Sequence, residues 1–262
     1  MNKPASTITG HTGNDGTADN SLDSVKLSIE MGADIAELDV RFDKQGGLVI
    51  SHDRKDDYSG YPSLREAMEL VIEVPAPRWT PAFVIHCDVK EAETVPAVLA
   101  LAQEMGIGPD KLAFSGRISP ALLRKNPEIT KRADVYLGLE EILLELYIEK
   151  LSSSELDAIK GMSSLKVVRE RMGDISGYAD MVASIVRELN VKALNLSLDM
   201  THAPIFPALQ KHDLPFSVWT VNDASEIKRL LDLKVCNITT RNLKTALPLR
   251  EAMYGKLAIS GL

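Results

Sequence analysis

Five side chains in the first third of the chain have the types and spacing needed for phosphoryl-transfer chemistry. They are two histidines and three carboxylates: His11, Glu37, Asp39, His52 and Asp88. Imidazole has an unperturbed pKa of about 6.5, so it can take or give a proton at neutral pH. Three neighbouring carboxylates need a cation between them, and oxygen-only ligands favour Mg²⁺ or Ca²⁺ over zinc. Such an ion would hold a phosphate oxygen and could lower the pKa of an attacking hydroxyl.

Apolar runs bounded by turn residues predict eight strands that alternate with helices. The predicted strands are Thr7–Gly10, Asp34–Phe42, Ala82–Val89, Leu112–Ser115, Val135–Gly138, Ala193–Leu198, Phe216–Val221 and Cys236–Thr240. Eight βα units in about 250 residues are typical of a (β/α)8 TIM barrel. The alternative is an open doubly wound sheet, but no Gly-x-Gly-x-x-Gly turn follows the first strand. We therefore predict an α/β protein with one TIM-barrel domain over residues 1–262.

The connections between the strands carry their own signals. The short run Leu48–Ser51 follows two glycines and predicts a hairpin strand added after the second strand. Helix-capping residues precede apolar periodic runs at Ser21, Ser63 and Asp223, and Gly32 is expected to end the first helix.

An extended helical segment follows the fifth predicted strand, over residues 139–190. Its pattern predicts the helices Glu140–Lys150, Ser153–Lys160, Lys166–Met172 and Ile175–Leu189. These four helices are more than the single helix that connects two neighbouring strands in a regular βα unit. A cap over the barrel mouth and a contact between subunits are both open interpretations of the excess.

The barrel would bring the five side chains together, because its active site lies at the C-terminal ends of the strands. His11 closes the first strand, and Glu37 and Asp39 lie toward the end of the second. Asp88 and Lys90 close the third strand, and alternation turns each of these pairs to one face. The pattern predicts one site that combines a metal cage with two proton carriers.

The other histidines and Trp219 are weaker candidates. His86 shares a strand face with Asp88 but lies one layer deeper, which favours a hydrogen-bonded core role. His202 and His212 flank a predicted helix and are interpreted as structural or surface residues. Trp219 lies at a strand end, where it could contact a ligand, although tryptophan is more often a core residue.

Composition narrows the class of protein further. The chain has 262 residues, 45% of them hydrophobic, and a net charge of −7, which argues against a general nucleic-acid surface. Cys87 and Cys236 lie far apart in apolar runs and predict reduced core residues. The first residues lack an apolar signal core, and no run approaches membrane-spanning length. We therefore expect a cytoplasmic protein.

Taken in order along the chain, these motifs resemble those of the glycerophosphodiester phosphodiesterase family. The opening of the chain carries the most specific part of the resemblance, in Gly10-His11-x-Gly13, Asp19-Asn20-Ser21, Gly32-Ala33-Asp34-x-x-Glu37-x-Asp39-Val40 and His52-Asp53. It continues through Pro62-Ser63-Leu64-x-Glu66-Ala67, Asp88-Val89-Lys90, Val218-Trp219-Thr220-Val221-Asn222 and Ile238-Thr239-Thr240.

The resemblance implies a TIM barrel of the phosphatidylinositol-phospholipase-C-like type. It implies a divalent metal ion bound through Glu37, Asp39 and Asp88. It also implies that His11 and His52 are the general acid and base, with Lys90 near the phosphate. In that family a neighbouring substrate hydroxyl is thought to attack phosphorus, and water then opens the resulting cyclic phosphate.

The sequence departs from the family pattern at several positions. Thr12 stands where an arginine usually holds the phosphate, and threonine cannot replace a bidentate guanidinium. Arg41, or a basic residue within 166–171, is the candidate replacement. Asp19 and Asp88 each stand where the family commonly has glutamate. Only residues 54–81 separate the second histidine from the third strand, where many members carry a larger insertion.

The sequence thus predicts a metal-dependent enzyme that hydrolyses a small glycerophosphodiester. One alternative keeps the chemistry but changes the substrate to a sugar or other polyol phosphodiester. A second alternative is a binding barrel without turnover, although such a protein would need neither histidine. The extended helical segment over residues 139–190 is also compatible with a homo-oligomer, in which it would form the contact between subunits.

Overall fold

Eight parallel strands close into a barrel in the computed structural model, which describes residues 6–73 and 83–255. The described residues form nine strands in all, β1 Thr7–Gly10, β2 Ile35–Phe42, β3 Leu48–Ile50, β4 Val84–Val89, β5 Leu112–Gly116, β6 Asp134–Gly138, β7 Ala193–Ser197, β8 Phe216–Trp219 and β9 Asn237–Thr240, and all except β3 belong to the parallel ring. Strand β1 pairs with both β9 and β2, which closes the ring, and β3 is added antiparallel to the edge of β2. The predicted single-domain TIM barrel and its extra hairpin strand are therefore confirmed.

The predicted strands agree with the observed ones to within about two residues. The first strand has the predicted bounds, and the start of the third, at Ala82, lies outside the described residues. The largest difference is in β8, which ends at Trp219, whereas the prediction extended to Val221. Val221 still donates its backbone N–H to the carbonyl oxygen of Thr239 at 2.9 Å, so the apolar signal there reflects a real contact with β9.

Twelve α-helices lie among the described residues. They are α1 Leu22–Met31, α2 Leu64–Glu73, α3 Thr94–Glu104, α4 Pro120–Lys125, α5 Ile129–Arg132, α6 Leu139–Ile148, α7 Ser153–Ile159, α8 Ser164–Arg171, α9 Ala179–Leu189, α10 Ile205–Gln210, α11 Ala224–Asp232 and α12 Leu243–Tyr254. Short 3₁₀ turns occupy Asn14–Gly16, Pro109–Lys111, Ser176–Tyr178 and Leu198–His202. None of the helices in the described part of the chain is long and apolar enough to cross a membrane.

The predicted helix boundaries at α1 and α11 are confirmed by their caps. The Ser21 hydroxyl accepts the Ser24 N–H at 3.2 Å, and Gly32 ends α1 with a φ of 78°. The Asp223 carboxylate accepts the N–H groups at the start of α11, from Ser225 at 2.8 Å and from Glu226 at 3.1 Å. These caps fix where the loops at the barrel mouth join their helices.

The segment 139–190 folds into four helices, α6 to α9, close to the predicted ones. Helix α6 begins directly after β6, and α8 packs against it. The N-terminal end of α8 reaches the barrel mouth, where Ser163, Ser164 and Leu165 line the main cavity. Of the two interpretations of the helical excess, this arrangement agrees with a cap over the mouth.

Alternation along the strands separates the apolar core from the polar interior of the barrel. In β2, Ala36, Leu38 and Val40 are buried in the large apolar core that includes the helices. The intervening residues Glu37 and Asp39 line the cavity inside the barrel. A small separate apolar layer at the opposite end of the interior contains Ile35, Ala113, Tyr136 and Ala193. The strand period therefore turns the carboxylates inward.

A buried ion pair joins helix α12 to the residue that directly precedes β2. The Asp34 carboxylate accepts the Ile8 N–H at 2.7 Å and pairs with the Arg250 guanidinium of α12. The Asp34 and Arg250 side chains are only 10% and 12% exposed. Neither charge is well solvated, so each depends on the other.

We predict that Asp34→Ala lowers the free energy of unfolding by about 3–5 kcal/mol, because it leaves the Arg250 charge buried without its partner. Urea denaturation measures the change. Asp56→Ala, which removes an exposed partner of Lys44, is the control and should change stability by less than about 1 kcal/mol. Equal midpoints for the two variants would contradict the prediction.

Candidate active site

Three carboxylates converge at the C-terminal ends of β2 and β4. The parallel register pairs Asp39 directly with Asp88, and Glu37 lies one inward position earlier on β2. One oxygen atom from each of the three carboxylates lies within 4.8 Å of the other two. Glu37 and Asp39 are buried, and Asp88 is half-buried. The spacing predicted from strand alternation is therefore present in the structure.

The charge of this cluster is only partly balanced. Lys90 places its Nζ 2.6 Å from Asp39 Oδ1 and in contact with Asp88 Oδ2. Burial opposes ionisation of Asp88, yet the neighbouring Lys90 ammonium lowers the pKa of Asp88 below its ordinary value. Burial, with repulsion from the other two carboxylates, raises the pKa of Glu37 well above its ordinary value. One ammonium serves three carboxylates, so a divalent cation bound through their oxygens fits this donor set.

Neighbouring side chains hold two of the carboxylates in place. The Asn20 amide donates to Asp39 Oδ2 at 2.8 Å and accepts the Asp39 N–H at 3.0 Å. The Ser115 hydroxyl donates to Asp88 Oδ1 at 3.0 Å. Gly116 has a φ of 87°, and a Cβ at this residue would lie 2.3 Å from Asp88 Oδ1. Asn20 was recognised in the sequence only as part of a motif, because its contact with Asp39 depends on the folded loop.

We predict that Asn20→Gly weakens divalent-ion binding about 10–100-fold, as loss of an outer hydrogen-bond partner of a metal ligand typically does. Glycine is chosen because Asn20 has a φ of 53°, in the left-handed region. Calorimetric titration with Mg²⁺ and Ca²⁺ measures the affinity. Asn190→Gly is the matched control, since Asn190 ends α9 with a φ of 50°. If both variants bind the ion with wild-type affinity, Asn20 does not orient a metal ligand.

His11 lies at the end of β1 beside the carboxylates. Its Nδ1 is 2.9 Å from the Thr12 carbonyl oxygen, 3.2 Å from Arg241 Nε and 3.8 Å from Glu37 Oε2. Nδ1 cannot donate to Thr12 and accept from Arg241 at the same time, so these contacts are alternatives. Burial lowers the pKa of His11, and the nearby Arg241 charge adds to this effect. The neutral ring is therefore favoured near neutral pH.

His52 lies on the outer rim of the same cavity, with a side chain that is 68% exposed. Its Nδ1 is 2.9 Å from Asp53 Oδ1. An ionised carboxylate only accepts hydrogen bonds, so Nδ1 carries the proton and Nε2 is left to exchange protons. The His52 carbonyl oxygen accepts the Arg41 Nε–H at 2.8 Å, which ties the rim to β2.

All of the site residues predicted from the sequence line one cavity of about 830 Å³ at the C-terminal ends of the strands. They are His11, Glu37, Asp39, Arg41, His52, Asp88, Lys90 and Trp219. The opposite wall comes from the segment 139–190 and includes Glu140 and Glu141. Burial raises the pKa of Glu140 to about 7. The cavity is therefore polar on both sides.

The candidate replacements for the missing arginine at position 12 differ in their availability. Arg41 Nη1 is 2.5 Å from Glu91 Oε1, so this guanidinium is already paired. Residues 166–171 do not line the cavity. Arg241 lines the cavity, although it was not predicted as a site residue from the sequence. The available signal was its position directly after Ile238-Thr239-Thr240, at the end of the eighth barrel strand.

The remaining histidines lie away from the carboxylate cluster or beneath it. His86 is buried, but neither ring nitrogen has a hydrogen-bond partner among residues 6–73 and 83–255, so the predicted hydrogen-bonded role is wrong. Burial lowers the pKa of His86 to about 4, and its ring packs on Tyr136 with centroids 5.1 Å apart. The apolar layer below the site supplies this ring contact and no polar partner. His202 and His212 lie near Glu226 and Asp180, outside the cavity.

Trp219 forms part of the cavity wall at the end of β8. Its indole Nε1 is buried and has no hydrogen-bond partner within the described residues. A buried N–H without a partner is uncommon, and here the indole belongs to the wall of the candidate site.

One protein-family model matches the part of the chain that carries most of this site. The model of the glycerophosphoryl diester phosphodiesterase family matches residues 10–61. The matched segment contains both histidines and the β2 carboxylates of the site. The predicted resemblance to glycerophosphodiester phosphodiesterases is therefore confirmed in the part of the chain that carries its most specific motifs. A comparison with curated proteins gave no match.

Solved structures of glycerophosphodiester phosphodiesterases share the fold over nearly the whole chain. One from Parabacteroides distasonis is 14% identical with a TM-score of 0.65, covering 96% of this chain and 99% of that one. One from Thermotoga maritima is 19% identical with a TM-score of 0.62, covering 93% and 98%. An Oleispira antarctica phosphodiesterase in complex with its product sn-glycerol-3-phosphate is 14% identical with a TM-score of 0.62, covering 94% and 96%. At these identities the likeness is one of fold.

Proposed function

We propose that the protein is a metal-dependent phosphodiesterase that hydrolyses glycerophosphodiesters to glycerol 3-phosphate and an alcohol. The observation that carries the proposal is the convergence of Glu37, Asp39 and Asp88 beside His11, in a cavity that His52 also lines. The family match over residues 10–61 supports this choice of reaction. So does the structural likeness to a phosphodiesterase that holds sn-glycerol-3-phosphate as its product.

The metal site of this proposal is the carboxylate cluster. Glu37, Asp39 and Asp88 would hold Mg²⁺ or Ca²⁺ through oxygen atoms, the ligands that these ions prefer. When bound, the ion would neutralise charge on a phosphate oxygen and lower the pKa of an attacking hydroxyl. Thr12 donates its N–H to Glu37 Oε2 at 3.2 Å, and Asn20 fixes Asp39, so two of the three ligands are oriented before an ion binds.

The two histidines divide the proton transfers. One of the pair, His11 or His52, takes the proton from the glycerol hydroxyl next to the phosphate as its oxygen bonds to phosphorus. The other gives a proton to the oxygen of the departing alcohol as its bond to phosphorus breaks. The same two groups then exchange roles while water adds to the cyclic phosphate and opens it. The products are the alcohol and glycerol 3-phosphate.

Three further residues complete the proposed site. The Lys90 ammonium lies between Asp39 and Asp88, where it would contact a phosphate held at the cluster. Trp219 would pack its indole ring against the bound substrate as part of the cavity wall. Arg41 is paired with Glu91 and donates to the His52 carbonyl, so its contribution would be to hold the rim that presents the histidine.

A sugar or other polyol phosphodiester is the second candidate substrate. The observation that favours it is the wall opposite the metal cluster, where Glu140 and Glu141 offer carboxyl groups able to bind additional hydroxyls. A cavity of about 830 Å³ has room for such a group. The reaction and the proton carriers would be unchanged.

The net charge of −7 supports a small phosphodiester substrate rather than a nucleic acid. A cytoplasmic location is also part of the proposal. Cys87 and Cys236 are both free thiols, which agrees with a reducing compartment.

Hydrolysis assays on a substrate panel test the proposed function. Purified protein with Mg²⁺ or Ca²⁺ is offered glycerophosphocholine, glycerophosphoethanolamine, glycerophosphoglycerol and a sugar phosphodiester, and the released alcohol is measured. We expect release from the glycerol diesters. Release from the sugar diester alone would favour the second candidate. If the protein binds the ion calorimetrically but releases alcohol from no member of the panel, the proposed activity is wrong.

A further inference from the structure

A phosphodiester anion in this cavity needs a cationic partner besides the metal ion. The cavity is lined by five cationic side chains within the described ranges: Arg41, Lys55, Lys90, Arg117 and Arg241. Two of them are already engaged by carboxylates in poorly exposed pairs. Lys90 lies between Asp39 and Asp88, and Arg41 pairs with Glu91 while donating to the His52 carbonyl. Position 12, where the family resemblance leads one to expect a phosphate-binding arginine, holds the buried Thr12 instead.

Thr12 offers a ligand almost no side-chain surface. Thr12 is 1% exposed, and its hydroxyl accepts the backbone N–H of Asn20. Its own N–H donates to Glu37 Oε2. Through these hydrogen bonds, the buried Thr12 stabilises the loop after β1. A guanidinium that binds a substrate phosphate beside His11 would therefore have to come from another residue.

Arg241 is anchored directly beside His11. Its backbone N–H donates to Asn222 Oδ1 at 2.8 Å, and its carbonyl oxygen accepts the Asp15 N–H at 2.8 Å. These bonds fix the start of the side chain where β9 ends. The guanidinium Nε then lies 3.2 Å from His11 Nδ1. Because that ring nitrogen is 3.8 Å from Glu37 Oε2, a single imidazole nitrogen separates Arg241 from the carboxylate cluster.

The existing partner of Arg241 leaves the guanidinium accessible. Nη2 is 2.9 Å from Asp19 Oδ1, and the two side chains are 42% and 57% exposed. An exposed ion pair of this kind is weak, so an incoming phosphate can share or replace it at little cost. Asp19 itself lies close against Gly13, where a Cβ would be only 2.1 Å from Asp19 Oδ1. The ion pair with Asp19 thus brings the Arg241 guanidinium to the loop after β1.

We propose that Arg241 binds the substrate phosphate and supplies the guanidinium that position 12 lacks. The proposal rests on the proposed phosphodiesterase function and adds a phosphate-binding residue contributed by the far end of the chain. The planar guanidinium would bind two phosphate oxygens, a geometry that a lysine cannot reproduce.

The variants Arg241→Ala and Arg241→Lys test the proposal. We expect Arg241→Ala to raise the KM for a glycerophosphodiester about 10–100-fold, the usual loss for a hydrogen bond to a charged group. Arg241→Lys should recover part of that loss. Guanidinium chloride at millimolar concentration should restore substrate binding to Arg241→Ala. Arg65→Ala is the matched control, since Arg65 pairs with Glu104 at 2.7 Å with 45% and 64% exposure and does not line the cavity. Its kinetics should equal those of the wild type.

Calorimetric titration with inorganic phosphate in the presence of Mg²⁺ tests the same residue without turnover. Phosphate binding should weaken in Arg241→Ala and stay unchanged in Arg65→Ala. If the wild type hydrolyses no glycerophosphodiester but phosphate binding still depends on Arg241, the proposed function fails and the Arg241 proposal stands. If KM and phosphate affinity in Arg241→Ala stay within twofold of the wild type, Arg241 does not bind phosphate. A lowered kcat with both affinities unchanged also overturns the proposal, because Arg241 would then only position His11.

Discussion

Purified His11→Ala protein is expected to hydrolyse a glycerophosphodiester about 10²–10⁴-fold more slowly than the wild type, the usual contribution of a general acid or base. His52→Ala should show a loss of the same order. His52 is exposed on the rim, so its removal should leave the folded state intact. The measurement is kcat at saturating metal ion, together with a thermal denaturation curve for each variant. Full activity in either variant would contradict the assigned proton transfers.

Two further comparisons sharpen this result. His202→Ala serves as the control, because His202 lies outside the cavity beside Glu226 and should leave kcat unchanged. A glycerophosphodiester with a p-nitrophenol leaving group separates the two roles. This leaving group departs without a proton, so the variant that lacks the acid should regain activity on it. The variant that lacks the base should remain slow on both substrates.

Glu37→Gln is expected to weaken divalent-ion binding by at least about 100-fold, since it removes a charged ligand rather than an outer-shell partner. Hydrolysis at micromolar Mg²⁺ should fall with it. Glutamine has nearly the same shape, so the change isolates the charge. Calorimetric titration measures the affinity. An unchanged affinity would remove Glu37 from the metal site.

The same variant should gain stability when no ion is present. Burial and repulsion from Asp39 and Asp88 raise the pKa of Glu37, so its ionised form is unfavourable in the folded protein. Replacing it with a neutral amide removes that cost, and the urea midpoint in EDTA should rise. Glu30→Gln, on the exposed face of α1 near Lys26, is the control and should change neither the midpoint nor the metal affinity. A lower midpoint for Glu37→Gln would mean that the carboxylates are not in conflict.

Periodicity was sufficient to predict the barrel and the position of the carboxylate cluster. Strand alternation with a period of two places Glu37 and Asp39 on one face, and parallel pairing then brings Asp88 beside Asp39. Capping residues likewise predicted where α1 and α11 begin, because a cap depends on its own first turn. These features are local, or follow from the repeat of the fold, so one sequence contains them.

Contacts between distant segments could not be predicted in the same way. Arg241 and His11 are 230 positions apart, and only closure of the barrel between β1 and β9 brings them together. The Asn20 amide reaches Asp39 because the loop after β1 folds back over β2. His86 differs from its prediction because its neighbours, such as Tyr136, belong to other strands and supply no hydrogen-bond partner. Side-chain partners at the barrel mouth depend on the whole ring of strands.

A ³¹P NMR time course of purified wild-type protein with glycerophosphocholine is the direct test of metal-dependent glycerophosphodiester hydrolysis. With Mg²⁺ or Ca²⁺ present, we expect the diester signal to decay and the signal of glycerol 3-phosphate to grow by the same amount. EDTA should stop the reaction, and renewed metal ion should restart it. A diester signal that persists while the protein is shown to bind the ion would contradict the proposed function, as would hydrolysis that continues at the same rate in EDTA.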